Sequence, residues 1–167
     1  MIIGAPELLD EHRRILAAVA GNERQIAGPR PESSAELAAK RWTFTRELLA
    51  HFANEEATLL RPLMNDRRPH VAAMATKALA EQNRLLNDFK DHVRRWGSLA
   101  SEAEWPDYVR ATRALMQRIR TRIHHEESSL YSQLPAQTNR RGVAEPDTRY
   151  VGEAAQIRNV IFDGKAA

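Results

Sequence analysis

The chain has 167 residues, a length that fits one domain with a substantial core, and it carries a net charge of only +3 with no cysteine. Without cysteine there is no disulfide framework, thiolate metal site or thiol redox chemistry. The basic pairs Arg67-Arg68, Arg94-Arg95 and Arg140-Arg141 sit among interspersed acids and match no nucleic-acid-binding motif, so they read as solvated faces.

The first residues lack a basic stretch followed by an apolar one, and no long uncharged apolar run occurs. The sequence therefore predicts a cytoplasmic protein that meets neither membrane nor nucleic acid. Apolar residues recur at helical spacing and strand-like alternation is missing. The first predicted helix opens at Pro6, carries Leu8, Ile15, Leu16, Val19 and Ile26, and ends before Gly28-Pro29. The second follows Ser33, where Ser33-Ser34-Ala35-Glu36 has the form of a capping box, and runs to about Arg61 before Pro62.

A third helix starts near Pro69, buries Val71, Ala78, Leu85, Phe89 and Val93, and stops at Gly97. The fourth follows a second capping box, Ser101-Glu102-Ala103-Glu104, and is closed by Pro135. Short connections make neighbouring helices antiparallel, so residues 1–135 are expected to form an up-down-up-down four-helix bundle. Residues 136–167 read as a C-terminal extension. Gln137–Arg149 is a polar loop or disordered, and Glu153–Phe162 is a candidate short helix presenting Ile157, Val160 and Ile161. That extension either docks on its own bundle or contacts a protein partner or a second copy.

Each inward stripe is interrupted by a polar residue. These are His12 on the first helix, His51 and Glu55 on the second, Gln82 on the third, and Arg122 and Glu126 on the fourth. At about 1.5 Å rise per residue, their heights above one end of the bundle run from roughly 9 Å for His12 and Glu55 to roughly 20 Å for Gln82. Six inward polar residues from four helices thus share about two helical turns. His92 lies roughly 35 Å up and reads as a surface or satisfied histidine. His70 sits at a helix entry and His124 points outward. His125 has the right height but points about 80–100 degrees away from the core.

Imidazoles and carboxylates converging inside a bundle are components of a non-heme metal site, and the i, i+4 spacing of His51 and Glu55 offers two ligands from one face. Asp10-Glu11-His12-Arg13-Arg14-Ile15, the segment His51 to Leu60, and Glu126-Glu127-Ser128-Ser129-Leu130-Tyr131 resemble the helix motifs of the hemerythrin-like, or HHE cation-binding, family. The resemblance covers residues 5–135 and implies an oxygen-bridged di-iron centre, held by about five histidines and two carboxylates, for oxygen binding or oxygen and iron sensing. His12, His51, Glu55 and Glu126 match the family's ligands. Gln82 and Arg122 stand where it has histidines, and arginine cannot ligate because its guanidinium stays protonated.

Three arrangements remain open. Arg122 replaces the cation electrostatically in a metal-free network that acts through protein contacts. Alternatively, one divalent metal, iron or zinc, sits on His12, His51, Glu55 and Glu126. In the third, a di-iron site recruits His125 or Glu56. A ferritin-like oxidase would need Glu-x-x-His on two helices, which is missing, and no hydrolase nucleophile is apparent. The expected role is non-enzymatic binding or sensing.

Overall fold

In the computed structural model, which describes residues 5–97, 99–133 and 148–163, every regular element is helical. Helix α1 spans Ala5–Ala27 and stops ahead of Gly28, as its start and stop residues predict. Helix α2 spans Ser34–Glu55. It begins without the expected capping box, since Ser33 is extended but its side chain makes no capping bond. Ser101 and Glu104 do exchange such bonds, in the turn that leads into the fourth predicted helix, whose own N-cap, Glu104, makes no side-chain capping bond. The Glu104 amide donates to Ser101 Oγ at 3.3 Å, and the Ser101 amide donates back to Glu104 Oε2 at 3.2 Å.

The end of α2 differs from the expectation of a plain helix up to Pro62. A wide π-turn occupies Glu56–Leu60, and a short helix α3 continues over Arg61–Met64. Pro62 is tolerated because it falls in the first turn of α3, where a missing N–H costs little. Helix α4 spans Pro69–Arg95 and α5 spans Trp105–His125. A second π-turn, Glu126–Leu130, follows α5 directly, then a single 3-10 turn over Tyr131–Gln133. Helix α6 spans Arg149–Asp163, four residues longer at its start than the candidate helix at Glu153. The expected loop over Gln137–Arg149 lies, up to residue 147, outside the described residues, as does the expected stop at Pro135.

Helix α1 packs on α2 and α5, whereas α6 packs against α2 and α4. The amphipathic face of α6 buries Tyr150, Ile157, Val160 and Ile161 in the same core as Phe44, Phe52 and Phe89. Gly97 permits this seat, because a Cβ there would lie 2.8 Å from Val160 Cγ1. A second apolar cluster, with Leu8, Leu59, Leu63, Val71 and Leu130, closes the opposite end. Between these two apolar layers lies the polar layer that holds the site.

Candidate metal centre

The six inward polar residues do meet. His12, Glu55 and Gln82 are fully buried, and His51 and Glu126 nearly so. Arg122 reaches in with 11% of its side chain exposed. His12 Nε2 faces His51 Nε2 at 3.2 Å and Glu126 Oε2 at 3.2 Å. His51 Nε2 lies 3.8 Å from Glu55 Oε2 and 3.9 Å from Glu126 Oε2. Two atoms each about 2.0–2.1 Å from a tetrahedral ion stand about 3.3 Å apart, so these spacings suit one shared cation.

The far side of each ring is equally specified. His12 Nδ1 lies 2.8 Å from Glu127 Oε1, and His51 Nδ1 lies 3.0 Å from Glu11 Oε2. Glu11 is itself held by Asn54 Nδ2 at 2.5 Å. An acceptor at Nδ1 favours the proton there, so that with a cation bound Nε2 would turn its lone pair to the ion, the support that metal-ligating histidines need. Tyr131 completes the layer: its hydroxyl lies 3.0 Å from His12 Nε2 and 3.3 Å from Glu55 Oε1.

Arg122 spans the acidic side. Its Nη2 donates to Glu55 Oε2 at 3.0 Å and to Gln82 Oε1 at 3.2 Å, and its Nη1 donates to the Ala78 carbonyl at 3.2 Å. Its Nε lies 2.5 Å from Glu126 Oε1, but without hydrogen-bond alignment. Neither oxygen of the Glu126 carboxylate receives an aligned donor among the described residues. Leaving a buried carboxylate without directed bonds is costly. A cation beside the two imidazoles would give this carboxylate, which already pairs with Arg122, the directed bonds it lacks.

The electrostatics without a cation are consistent with a crowded ligand set. Burial alone would lower His51, yet its bond to Glu11 and the Glu126 and Glu55 carboxylates raise it from 6.5 to about 9. Burial pushes Glu55 up, and the Glu126 charge adds to this, so Glu55 is the carboxyl inclined to hold a proton. Against its own burial, the guanidinium of Arg122 and the two histidines hold Glu126 well below the usual carboxylate range. Burial and the same two carboxylates keep the Tyr131 hydroxyl strongly neutral.

Several residues fall elsewhere. His70, His124 and His125 are exposed. His70 and His125 line the mouth of a cleft of about 880 Å³ between α4 and α5 whose floor includes Arg122 and Glu126. Glu56, although buried, turns away from the cluster and binds Arg61, Arg149 and Tyr150. Neither His125 nor Glu56 is therefore placed to complete a di-iron site. His92 is a satisfied histidine at the far end of the bundle, with Nε2 at 3.1 Å from Thr112 Oγ1.

A family model, the hemerythrin HHE cation-binding domain, matches residues 4–134. The chain belongs to this family. No curated protein and no solved structure matches it. Within the family frame, His12, His51 and Glu126 form a buried group whose ligand atoms all lie within 4.8 Å of one another and could hold a metal. An oxygen-bridged pair of irons calls for more imidazole than the cluster offers, since beside His12 and His51 its other inward nitrogen-bearing side chains are Gln82 and the guanidinium of Arg122. His12, His51 and Glu126 could hold one ion, and Glu55 Oε2 lies 3.8 Å from His51 Nε2 beside them.

Sequence reasoning missed Glu11, Asn54, Glu127 and Tyr131. Glu11 and Glu127 each adjoin a ligand-type residue, which is a weak signal. Tyr131 was hidden because a regular helix places residues 130 and 131 about 100 degrees apart, whereas the π-turn lets both turn inward. No helix among the described residues is long and apolar enough to cross a membrane.

Proposed function

We propose that this protein is a non-enzymatic, single-cation member of the family, a binding or sensing protein of the iron and oxygen class. One observation carries the reading. Two buried imidazoles, each braced at Nδ1 by a carboxylate, aim Nε2 at the same unsatisfied Glu126 carboxylate. When bound, iron or zinc would add its positive charge to that of Arg122 beside Glu126 and Glu55, and with iron a redox couple as well. His12 and His51 would be held as neutral ligands by Glu127 and Glu11, and the α4–α5 cleft would admit the ion or a small ligand.

The bundle expected to carry this site is the up-down-up-down one. The pairings of Arg14 with Glu47, Arg118 with Asp88, and Arg120 with Glu23 support opposed directions for α1 and α2, α4 and α5, and α1 and α5. A cytoplasmic setting suits a cysteine-free chain of this kind.

A second reading is favoured by one specific contact set. Arg122 already bridges Glu55 and Glu126, so the same layer can stand without metal and the protein can act through contacts with other chains. Exposed Val151 and Phe162 on α6 would then be the surface offered to a partner or a second copy. Metal analysis of chelator-free protein, followed by zinc and ferrous titrations of wild type and His12→Ala, separates the two. One ion per chain, lost in the variant, supports the first reading. No uptake at any accessible concentration supports the second, and two irons with oxo-to-iron charge-transfer absorption would overturn both.

A further inference from the structure

Two imidazoles and two carboxylates leave one inward oxygen of the cluster unassigned, the hydroxyl of Tyr131. It lies 3.0 Å from His12 Nε2 and 3.3 Å from Glu55 Oε1, the separations at which neighbouring ligand atoms stand around one small ion. The residue is 8% exposed and its ring stacks on the His12 imidazole with 14 degrees between planes, so the hydroxyl is held at the cluster and not at the surface. The position is made by the chain itself. The π-turn over Glu126–Leu130 adds a residue to the turn, which keeps Leu130 in the core and still brings Tyr131 inward.

We infer that Tyr131 is an additional ligand to the cation, making up through oxygen what the chain lacks in imidazole at Gln82 and Arg122. This rests on the cation-binding reading proposed above. As a ligand the phenol gives up its proton. On binding, the phenol oxygen would exchange its proton for the ion, and the released proton would go to the bulk solution as it does when any protonated ligand takes up a metal. No electron moves and the metal keeps its charge. Two imidazoles, two carboxylates and a phenolate form a hard, oxygen-rich and anionic set, and that set selects ferric iron over zinc. The site therefore differs in metal preference and colour from one made mainly of histidine.

The chain has three tyrosines, which makes the assignment open to a direct spectroscopic test. Full-length protein is loaded with ferric nitrilotriacetate and desalted, and its iron content is measured beside its visible and resonance Raman spectra. The expected result is bound iron with a broad phenolate-to-iron band in the visible and tyrosinate ring modes on excitation into it. Tyr131→Phe keeps the ring in its apolar seat, and it should retain iron and helix content but lose the band. Tyr150→Phe, whose hydroxyl binds Gln82 and Glu56 outside the ligand set, should keep the band. Iron bound without phenolate modes, or a band that survives Tyr131→Phe, overturns the assignment while leaving cation binding intact. Wild type that takes up no iron overturns both. If Tyr131→Phe does not fold, the ring modes of the wild type decide alone.

Discussion

Replacing Arg122 is the most informative perturbation of this core, because one side chain binds two buried carboxylates, a glutamine and a main-chain carbonyl. Arg122→Met keeps much of the length and removes the charge. Glu55 and Glu126, whose side chains are 0% and 3% exposed, then face one another with only the His12 and His51 rings beside them. Removing one partner of a buried ion pair costs about 3–5 kcal/mol. The lower end applies here, since Arg122 sits at the floor of the α4–α5 cleft and water can replace part of it. For a chain of this size 3 kcal/mol corresponds to a melting shift of about 6–12 °C. Arg122→His should lose a similar amount in chelator but offers a third imidazole beside Glu126. Zinc or ferrous iron at about 100 times its dissociation constant returns about 2.7 kcal/mol, so this variant should recover most of its loss. Thermal melts of the three proteins with chelator and with metal provide the measurement. Arg122→Met should be weakened and gain less from metal than Arg122→His. A loss below about 1 kcal/mol in chelator, or equal metal gains in both variants, would refute the idea that Arg122 stands in for a cation.

Three further outcomes are expected. Glu11→Gln and Glu127→Gln each remove an Nδ1 brace and should weaken zinc binding by about 10–100-fold in a competitive chelator titration, Glu11 more because it is buried while Glu127 is 41% exposed. Gly97→Ala forces a Cβ to 2.8 Å from Val160 Cγ1 and 3.3 Å from the Val93 carbonyl, and should cost about 1–3 kcal/mol in denaturant melts with earlier loss of α6. Burial first and Arg41 second lower His92 from 6.5 to about 4. Its stabilisation is thus complete above pH 6.5 and falls as pH drops toward 4, because the unfolded chain takes up the proton first. Between pH 7 and pH 5 wild type should lose about 2 kcal/mol more than His92→Gln.

The convergence of His12, His51, Glu55, Gln82, Arg122 and Glu126 was legible because it needs only helical periodicity and rise. Both are fixed by backbone geometry and do not depend on side-chain detail. The same arithmetic correctly kept His124 and His92 away from the cluster. It was less good where a cap depends on one rotamer. Ser33 and Ser101 start the same four-residue pattern, yet only Ser101 makes its bonds, since its Glu104 is also held by Arg95 at 3.2 Å. The apolar face of α6 was visible in Ile157, Val160 and Ile161, but its seat depends on the small residue Gly97 far away in sequence.

What stayed hidden at the site has one structural origin. The first π-turn begins directly after a ligand-type glutamate, at Glu56 after Glu55, and the second begins on one, at Glu126. Each adds one residue to a turn, so the pattern of 3.6 residues fails just where the chemistry sits. After the first turn Glu56 is buried beside Glu55 but directed to Arg149 and Tyr150 of α6. After the second, Tyr131 joins the cluster while Glu127 stays beside His12 Nδ1. A regular helix could not present Glu126, Glu127, Leu130 and Tyr131 in these four roles at once. The second turn therefore serves the site: it widens the helix by one residue and brings inward Tyr131, which a uniform helix would turn toward solvent.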